Sequence, residues 1–303
     1  MLVFGTICLD RLRRVPSLPG AGSYVEIESE QLMLGGEAAN TAHALESWGT
    51  SATLCGNLLG DAPEGERLLQ LLTAHDLPTK HLRLGGGRTP ETDIYVTPDG
   101  ERTMFGRGFS SMRLGNSVRD LPFEAGSWFT ADPNMEAPAR EALAAADAAG
   151  MHVYAMDFIR DTDTIPAGGW WQSSTDWAGT RAENAGNAAW LTRWIERHGC
   201  FGVLTDGPRQ FWLGGPGLPV RALPTFPAPV VVDTTGAGDL FRAGMLFGLS
   251  QDWPLNRSAA FAAAAGALAC RSFGATDDLP TIAEVEALVA AHPEVRASYA
   301  TLG

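Results

Sequence analysis

The length and composition of the chain set the first limits on its function. It has 303 residues, a length that is enough for one extended α/β domain or two smaller ones. Of these residues, 45% are hydrophobic and 35 are glycine, which fits a loop-rich globular enzyme. The formal net charge of −13 argues against nucleic acid or an anionic membrane as a partner, because no basic surface would pair with phosphates. Lys80, the only lysine, follows Pro78-Thr79, so the Gly-Lys-Ser/Thr of a Walker A loop is missing.

The cysteines, the histidines and the N-terminus favour a cytoplasmic location. The four cysteines lie far apart and lack CxxC spacing, which predicts buried free thiols in a reducing compartment. The six histidines show no paired metal-ligand spacing. The first ten residues carry no basic region and are typical of a strand that enters a turn, not of a signal peptide. No apolar run approaches the length of a membrane span.

Short apolar strands alternate with amphipathic helices along most of the chain. Strands are predicted at 2–8, 52–58, 127–130, 152–156, 202–205 and 229–232, and helices at 38–48, 64–74, 137–149, 185–198, 258–270 and 281–291. This alternation is typical of a mostly parallel sheet with helices on both faces, in which ligands bind beyond the carboxyl ends of the strands. The stretch 168–174 is interpreted as an irregular loop without an assigned role.

Two segments depart from this alternation. Residues 23–34 alternate in part, and 92–97 and 101–105 form a predicted hairpin with its turn at Asp99-Gly100. Together they predict a small accessory sheet beside the main body. Such a sheet is either a lid over a cleft or an ordinary edge hairpin, and the sequence leaves both open.

The stretch Asp233-Thr-Thr-Gly-Ala-Gly-Asp239 lies between the predicted strand 229–232 and a helical pattern that begins at Leu240. Its glycines allow a tight turn, and the free N–H groups and the dipole of a helix start hold an anion without a lysine. The same dipole favours the ionised form of Asp239, which suits a general base. Taken alone, an ordinary turn and helix cap explain the stretch equally well.

A second glycine cluster, Gly35-Gly36, precedes the predicted helix that carries Asn40. Small residues at a helix start let a ligand approach the backbone, and the amide of Asn40 both donates and accepts hydrogen bonds. Asp10 adds a carboxylate after the first strand. These groups suit a polyol, although a turn with a cap is the alternative.

The two motifs, in this order and separation, resemble the signatures of the ribokinase-like, or phosphofructokinase-B type, carbohydrate kinases. Residues 35–40 resemble the sugar-side signature and 233–244 the phosphate-side one. Further stretches similar to family landmarks are Asp10, 100–102, 204–207 and 274–280. The resemblance implies a single domain over 1–303. It also implies a three-layer α/β sandwich with a mostly parallel central sheet, and a small β-sheet lid formed by about 11–35 and 88–110.

The resemblance further implies an ATP-dependent transfer of the γ-phosphoryl group to a hydroxyl of a sugar or sugar acid. Asp239 would remove the proton of the acceptor, and the N–H groups around Gly236, Ala237 and Gly238 would hold the charge on the phosphoryl group. The residues implied to hold the sugar are Asp10, Gly35, Gly36 and Asn40.

The nucleotide and its cations are implied by the same resemblance. Thr205 and Gly207 match strand-end positions beside ATP, and Glu183 matches a family acid that acts on the nucleotide and indirectly on Mg²⁺, with Thr180 where the family often has asparagine. The positions that match a monovalent cation site, for K⁺, are Asp233, Thr235 and Gly274.

Three questions stay open at this stage. Arg107 resembles a lid arginine that faces the sugar, and a guanidinium suits a sugar acid, but a solvated Arg107 is the alternative. A nucleoside kinase of the same fold remains one alternative. A catalytically idle sugar or nucleotide sensor is another, because Thr180 and Ala263 stand where the family often has asparagine and a polar residue near the nucleotide. A homodimer through the lid strands would be supported by an exposed apolar face on Ile94, Val96 and Phe105.

Overall fold

Strands alternate with helices in the computed structural model, which describes residues 1–180 and 184–302. The strands are β1 (Leu2–Gly5), β2 (Cys8–Arg14), β3 (Ser29–Gly35), β4 (Thr53–Gly56), β5 (Glu91–Val96), β6 (Arg102–Arg107), β7 (Trp128–Ala131), β8 (His152–Met156), β9 (Trp170–Ser174), β10 (Phe201–Thr205), β11 (Gln210–Gly215) and β12 (Leu218–Pro224). The helices are α1 (Glu37–Ser47), α2 (Glu64–Ala74), α3 (Ala137–Ala148), α4 (Asn184–His198), α5 (Ala237–Ser250), α6 (Leu255–Ala269), α7 (Ile282–Ala291) and α8 (Pro293–Ser298). Among the described residues, no helix is long and apolar enough to cross a bilayer.

The main sheet has the strand order β12-β11-β10-β9-β8-β7-β1-β4. The strands from β4 to β10 in this order run parallel, and β11 and β12 add an antiparallel edge. Strands such as β1 are buried along their whole length and therefore need cover on both faces. Helices α1, α2, α5, α6 and α7 pack on one face, and α3 and α4 pack on the other. The expected three-layer α/β sandwich is confirmed.

Most of the predicted elements are confirmed. Helix α2 and strand β8 have the predicted bounds. The predicted strand 2–8 is in fact two strands, because the chain leaves the main sheet after Gly5 and enters a second sheet at Cys8. The four cysteines are free and buried, as predicted.

Two predicted assignments are wrong. Residues 168–174 are not a loop but contain β9, which lies between β8 and β10 in the main sheet. Its residues lack the Val and Ile that mark other strands, and the preceding glycine pair favours a turn. Residues 229–232 are not a buried strand but a loop in which Val230 and Val231 are about half exposed. Proline at 227 and 229 removes N–H groups that a strand ladder needs.

A small sheet of order β3-β2-β5-β6 stands beside the main one. The residues that form its inner core are Leu12, Met33, Ile94 and Val96, with Phe273 packed against them. Ile94 and Val96 are therefore buried, and of the three residues whose exposure would support a dimer only Phe105 is exposed, at 59%. Side chains alternate between the two faces of a strand, which places Ile94 and Val96 on the same face of β5. This alternation does not indicate which face meets the main body.

Small residues allow α5 and α6 to pack closely. A β-carbon added to Gly244 would lie 2.6 Å from the α-carbon of Ala262, and one added to Gly248 would lie 2.8 Å from the β-carbon of Ser258. Helix α6 presents a buried run of alanines at this contact. The contact fixes α5, whose first turn forms part of the site described below.

We expect Gly244→Ala to destabilise the protein although alanine is the better helix former. The propensity gain of about 1 kcal/mol is opposed by an overpacking cost of about 1–3 kcal/mol, which lies at the upper end because the neighbouring atom belongs to the main chain. Urea denaturation should therefore show a net loss of about 1–2 kcal/mol in the free energy of unfolding.

Gly49→Ala is the control for this variant. Gly49 has a φ of 78° and open space around it, so the substitution costs only backbone strain, about 1 kcal/mol. A Gly244→Ala protein as stable as the wild type would contradict the close packing of the two helices.

Candidate active site

Residues 233–239 form a turn that leads into α5. Gly236 precedes the helix with a φ of 78°, and a β-carbon there would lie 2.3 Å from that of Ala275. Both the left-handed backbone and the close contact require glycine at this position. Among the described residues, no side chain caps the start of α5, so the N–H groups of its first turn and the positive end of its dipole suit a bound anion.

Asp233 holds this turn together. Its buried carboxylate accepts hydrogen bonds from the N–H and the hydroxyl of Thr235 at 2.9 and 2.7 Å, and from the N–H of Gly274 at 3.0 Å. The three residues predicted to hold a monovalent cation are thus in contact. Carboxylate and hydroxyl oxygens are of the type that hard cations take, and here they also tie the turn to the segment after α6.

Gln172 anchors the first turn of α5 to the main sheet. Its Nε2 donates a hydrogen bond to the carbonyl of Gly238 at 3.0 Å, and its Oε1 accepts one from the hydroxyl of Tyr154 at 2.7 Å. Gln172 is buried in β9. Gln172 is not predicted as a site residue, because the pattern of 168–174 favours a loop. A polar side chain at the centre of a buried strand would have been the signal.

Asp239 lies in the first turn of α5 and is buried, with 7% of its surface exposed. Its Oδ2 accepts a hydrogen bond from Nδ2 of Asn40 at 2.8 Å, and its Oδ1 lies 3.5 Å from Nη2 of Arg242. Within the described structure, this Oδ1 has no hydrogen-bond partner. Burial raises the pKa of Asp239 to about 6, while Arg242 and the Asn40 hydrogen bond oppose the rise. The carboxylate is therefore mostly ionised at neutral pH, and its Oδ1 lies beside the Arg242 guanidinium without accepting a hydrogen bond from any described residue.

The predicted sugar-side residues lie next to this carboxylate. A β-carbon on Gly35 would lie 2.1 Å from the carboxyl carbon of Asp10, and one on Gly36, which has a φ of 99°, would lie 2.3 Å from the carbonyl oxygen of Thr6. Both positions thus require glycine. Burial raises the pKa of Asp10 to about 6, and repulsion from Asp239 contributes to the rise. The structure therefore brings Asp10, Gly35, Gly36 and Asn40 together around Asp239.

Three further carboxylates belong to the same electrostatic cluster but were not assigned to the site from the sequence: Glu37, Asp132 and Asp157. Burial raises the pKa of Asp157 to about 7 and that of Glu37 well above its usual range, and repulsion among the acids adds to both rises. Asp132 and Asp157 directly follow β7 and β8. Their position at the carboxyl ends of predicted strands was the signal available in the sequence.

The small sheet contacts the 233–239 turn. Nη1 of Arg102, in β6, donates a hydrogen bond to the hydroxyl of Thr234 at 2.7 Å, and the N–H of Thr234 donates to the carbonyl of Gly100 at 3.3 Å. The positive charge of Arg102 also opposes the rise in the pKa of Asp239. A guanidinium therefore lies beside the turn that suits an anion, within the stretch 100–102 that resembles a family landmark.

The remaining predicted residues lie farther along the sheets or outside the described structure. Thr205 ends β10, where its hydroxyl bonds the carbonyl of Ser173 at 3.3 Å, and Gly207 follows in an exposed turn. Arg107 ends β6 and forms an ion pair with Glu91 at 2.5 Å. Glu183 lies outside the described residues.

Solved structures identify the fold class. A ribokinase from Giardia lamblia superimposes with a TM-score of 0.77 at 16% identity, over 96% of this chain and 98% of that one. A ribokinase from Arabidopsis thaliana, complexed with ribose and ATP, superimposes with a TM-score of 0.73 at 19% identity, over 95% of this chain and 97% of that one. The fold is the ribokinase fold, with its mostly parallel main sheet and separate small sheet.

Sequence comparison gives the family. The model of the pfkB family of carbohydrate kinases matches residues 1–117 and 203–282. A protein of Dictyostelium discoideum described as an uncharacterized sugar kinase is 30% identical, over 92% of this chain and 94% of its own length. The chain belongs to the pfkB family of carbohydrate kinases, and the resemblance seen in its sequence is confirmed.

Proposed function

We propose that the protein transfers the γ-phosphoryl group of ATP to a hydroxyl group of a sugar, with Asp239 as the general base. The environment of Asp239 carries this proposal. Asn40 holds one oxygen of the buried carboxylate, and the other oxygen has no hydrogen bond within the described structure. This second oxygen, Oδ1, is the proposed acceptor for the proton of an incoming hydroxyl.

The proposed reaction is a single displacement at the γ-phosphorus. The acceptor hydroxyl gives its proton to Oδ1 of Asp239 while its oxygen forms a bond to the γ-phosphorus. The bond between that phosphorus and the β,γ-bridging oxygen breaks, and ADP leaves with the electron pair. The N–H groups of Gly236, Ala237 and Gly238 hold the charge on the transferred group.

The sugar and the nucleotide approach this turn from two sides. Asp10, with Gly35, Gly36 and Asn40, is proposed to bind the hydroxyl groups of the sugar. Thr205 and Gly207 are proposed to lie beside the nucleotide, which carries Mg²⁺ to neutralise its phosphates. The role of Glu183 in holding that ion indirectly remains a proposal.

Asp239→Asn should abolish most of the turnover while sugar and nucleotide still bind. Loss of a general base costs about 10²–10⁴-fold in rate, and asparagine keeps the size of the side chain. Coupled ADP release with a panel of sugars measures the rate, and thermal shift measures binding. Asp147→Asn, at an exposed acid of α3, is the control and should retain the wild-type rate.

Two results would contradict this assignment. Turnover of nucleosides but of no sugar would favour a nucleoside kinase of the same fold. Binding of sugar and nucleotide without any turnover by the wild type would favour the idle sensor.

We further propose that K⁺ binds at Asp233, Thr235 and Gly274 and supports the 233–239 turn. These residues are already joined by hydrogen bonds through one carboxylate. The rate should be higher in potassium chloride than in tetramethylammonium chloride at equal ionic strength, because the larger ion cannot fit among these groups. Equal rates in the two salts would sink the proposal.

A neutral sugar is proposed as the acceptor in preference to a sugar acid. Arg107, the guanidinium that would recognise a carboxylate, is paired with Glu91. The acids Asp10, Asp157 and Asp239 would repel a further negative charge.

We therefore expect kcat/KM for a neutral hexose to exceed that for the matching hexonic acid by about tenfold or more, since one tenfold step corresponds to about 1.4 kcal/mol of repulsion. Arg107→Met should leave this ratio nearly unchanged. A preference for the acid that disappears in Arg107→Met would contradict the proposal and restore the sugar-facing role of that arginine.

A further inference from the structure

Arg242 is a fully buried guanidinium one turn after Asp239 in α5. Its Nε donates a hydrogen bond to the hydroxyl of Thr41 at 2.9 Å, and its Nη2 donates one to the carbonyl of Glu37 at 2.5 Å. The same Nη2 lies 3.5 Å from Oδ1 of Asp239. One side chain thus connects the first turn of α1 to the carboxylate in the first turn of α5.

The charge of Arg242 is more than this helix contact requires. A buried cation is costly unless an anion pairs with it. Both hydrogen bonds to α1 end on uncharged oxygen atoms, which a neutral amide would satisfy equally well. The ion pair with Asp239 is therefore the contact that accounts for a guanidinium at this position.

The groups around Asp239 are mostly acidic. The charged and titratable side chains that act on it or are acted on by it are Asp10, Glu37, Asp132 and Asp157 among the acids, and Arg102 and Arg242 among the bases. Arg102 belongs to the small sheet and is exposed, so solvent screens its charge. Arg242 is buried, and its charge is the largest effect that opposes the rise in the pKa of Asp239.

We propose that Arg242 is a positioning residue for phosphoryl transfer, which sets the direction of the Asp239 carboxylate and keeps it ionised among the neighbouring acids. Its hydrogen bonds go to α1, the helix that carries Asn40, so it also fixes the position of the Asp239 carboxylate relative to Asn40. The inference rests on the proposed function and adds to it the group that makes the base usable at neutral pH.

The test is the pH dependence of kcat in three variants. Arg242→Gln keeps hydrogen-bond donors and removes the charge, Arg242→Lys keeps the charge, and Thr41→Val removes the acceptor of Nε while leaving the ion pair. In the wild type, the rate should fall below about pH 6, as the carboxylate becomes protonated.

In the plot of kcat against pH, this fall in rate forms the acidic limb. Arg242→Gln should move the acidic limb upward by about 1–3 pH units, the range expected when a nearby opposite charge is lost. At pH 7 its kcat should fall by about twofold if the limb moves by one pH unit and by about tenfold if it moves by two, and it should recover at higher pH, while KM for ATP changes little. Arg242→Lys should keep the limb near its wild-type position. Thr41→Val should lower the melting temperature without moving the limb, because the charge stays in place.

The outcomes separate the inference from the proposed function. A wild type without phosphoryl transfer refutes the proposed function. An active wild type with an unshifted limb in Arg242→Gln overturns the positioning role and leaves Arg242 as a brace between helices.

A double-mutant cycle on stability decides the case if Arg242→Gln folds poorly. Removing the base removes the partner of the charge, so Asp239→Asn combined with Arg242→Gln should lose less stability than the two single changes added together. If the losses are additive, or if the double variant also fails to fold, the coupling on which the proposal depends is overturned.

Discussion

The candidate site depends on one buried carboxylate at the start of a helix. Removing Asp239 from water disfavours its charged form, and burial is the main cause of its raised pKa. The dipole of α5, the amide of Asn40 and the guanidinium of Arg242 oppose that effect. Because Asn40 belongs to α1, the base has its environment only when α1 packs against α5, so the fold and the chemistry share one contact.

Close approach of backbone segments makes this contact possible. Gly36 lets α1 begin against the β1–β2 connection, Gly236 lets α5 begin against Ala275, and Gly244 lets α5 lie on α6. At each place a β-carbon would overlap a neighbouring atom. Glycine at these three positions thus reflects a need for short distances around the site.

The sequence predicts the layers of the fold because hydrophobic periodicity and glycine motifs are local signals. It predicts Asp239 and Asn40 as candidates, but their hydrogen bond joins residues 199 positions apart and is not visible in any local pattern. Arg242 has the sequence context of an ordinary helical arginine, which is usually solvated. Its burial follows from the packing of α5 between α1 and α6. Strand β9 is missed for a related reason, since tertiary burial and not residue propensity makes it a strand.

The contacts of the small sheet favour a lid over an ordinary edge hairpin. Arg102 reaches Thr234 in the 233–239 turn, and Gln31 bonds Asp277 beyond α6 at 2.5 Å. Its inner core packs against Phe273, one residue before the glycine that Asp233 binds. These contacts with the 233–239 turn and with the segment after α6 support the lid hypothesis over an ordinary edge hairpin.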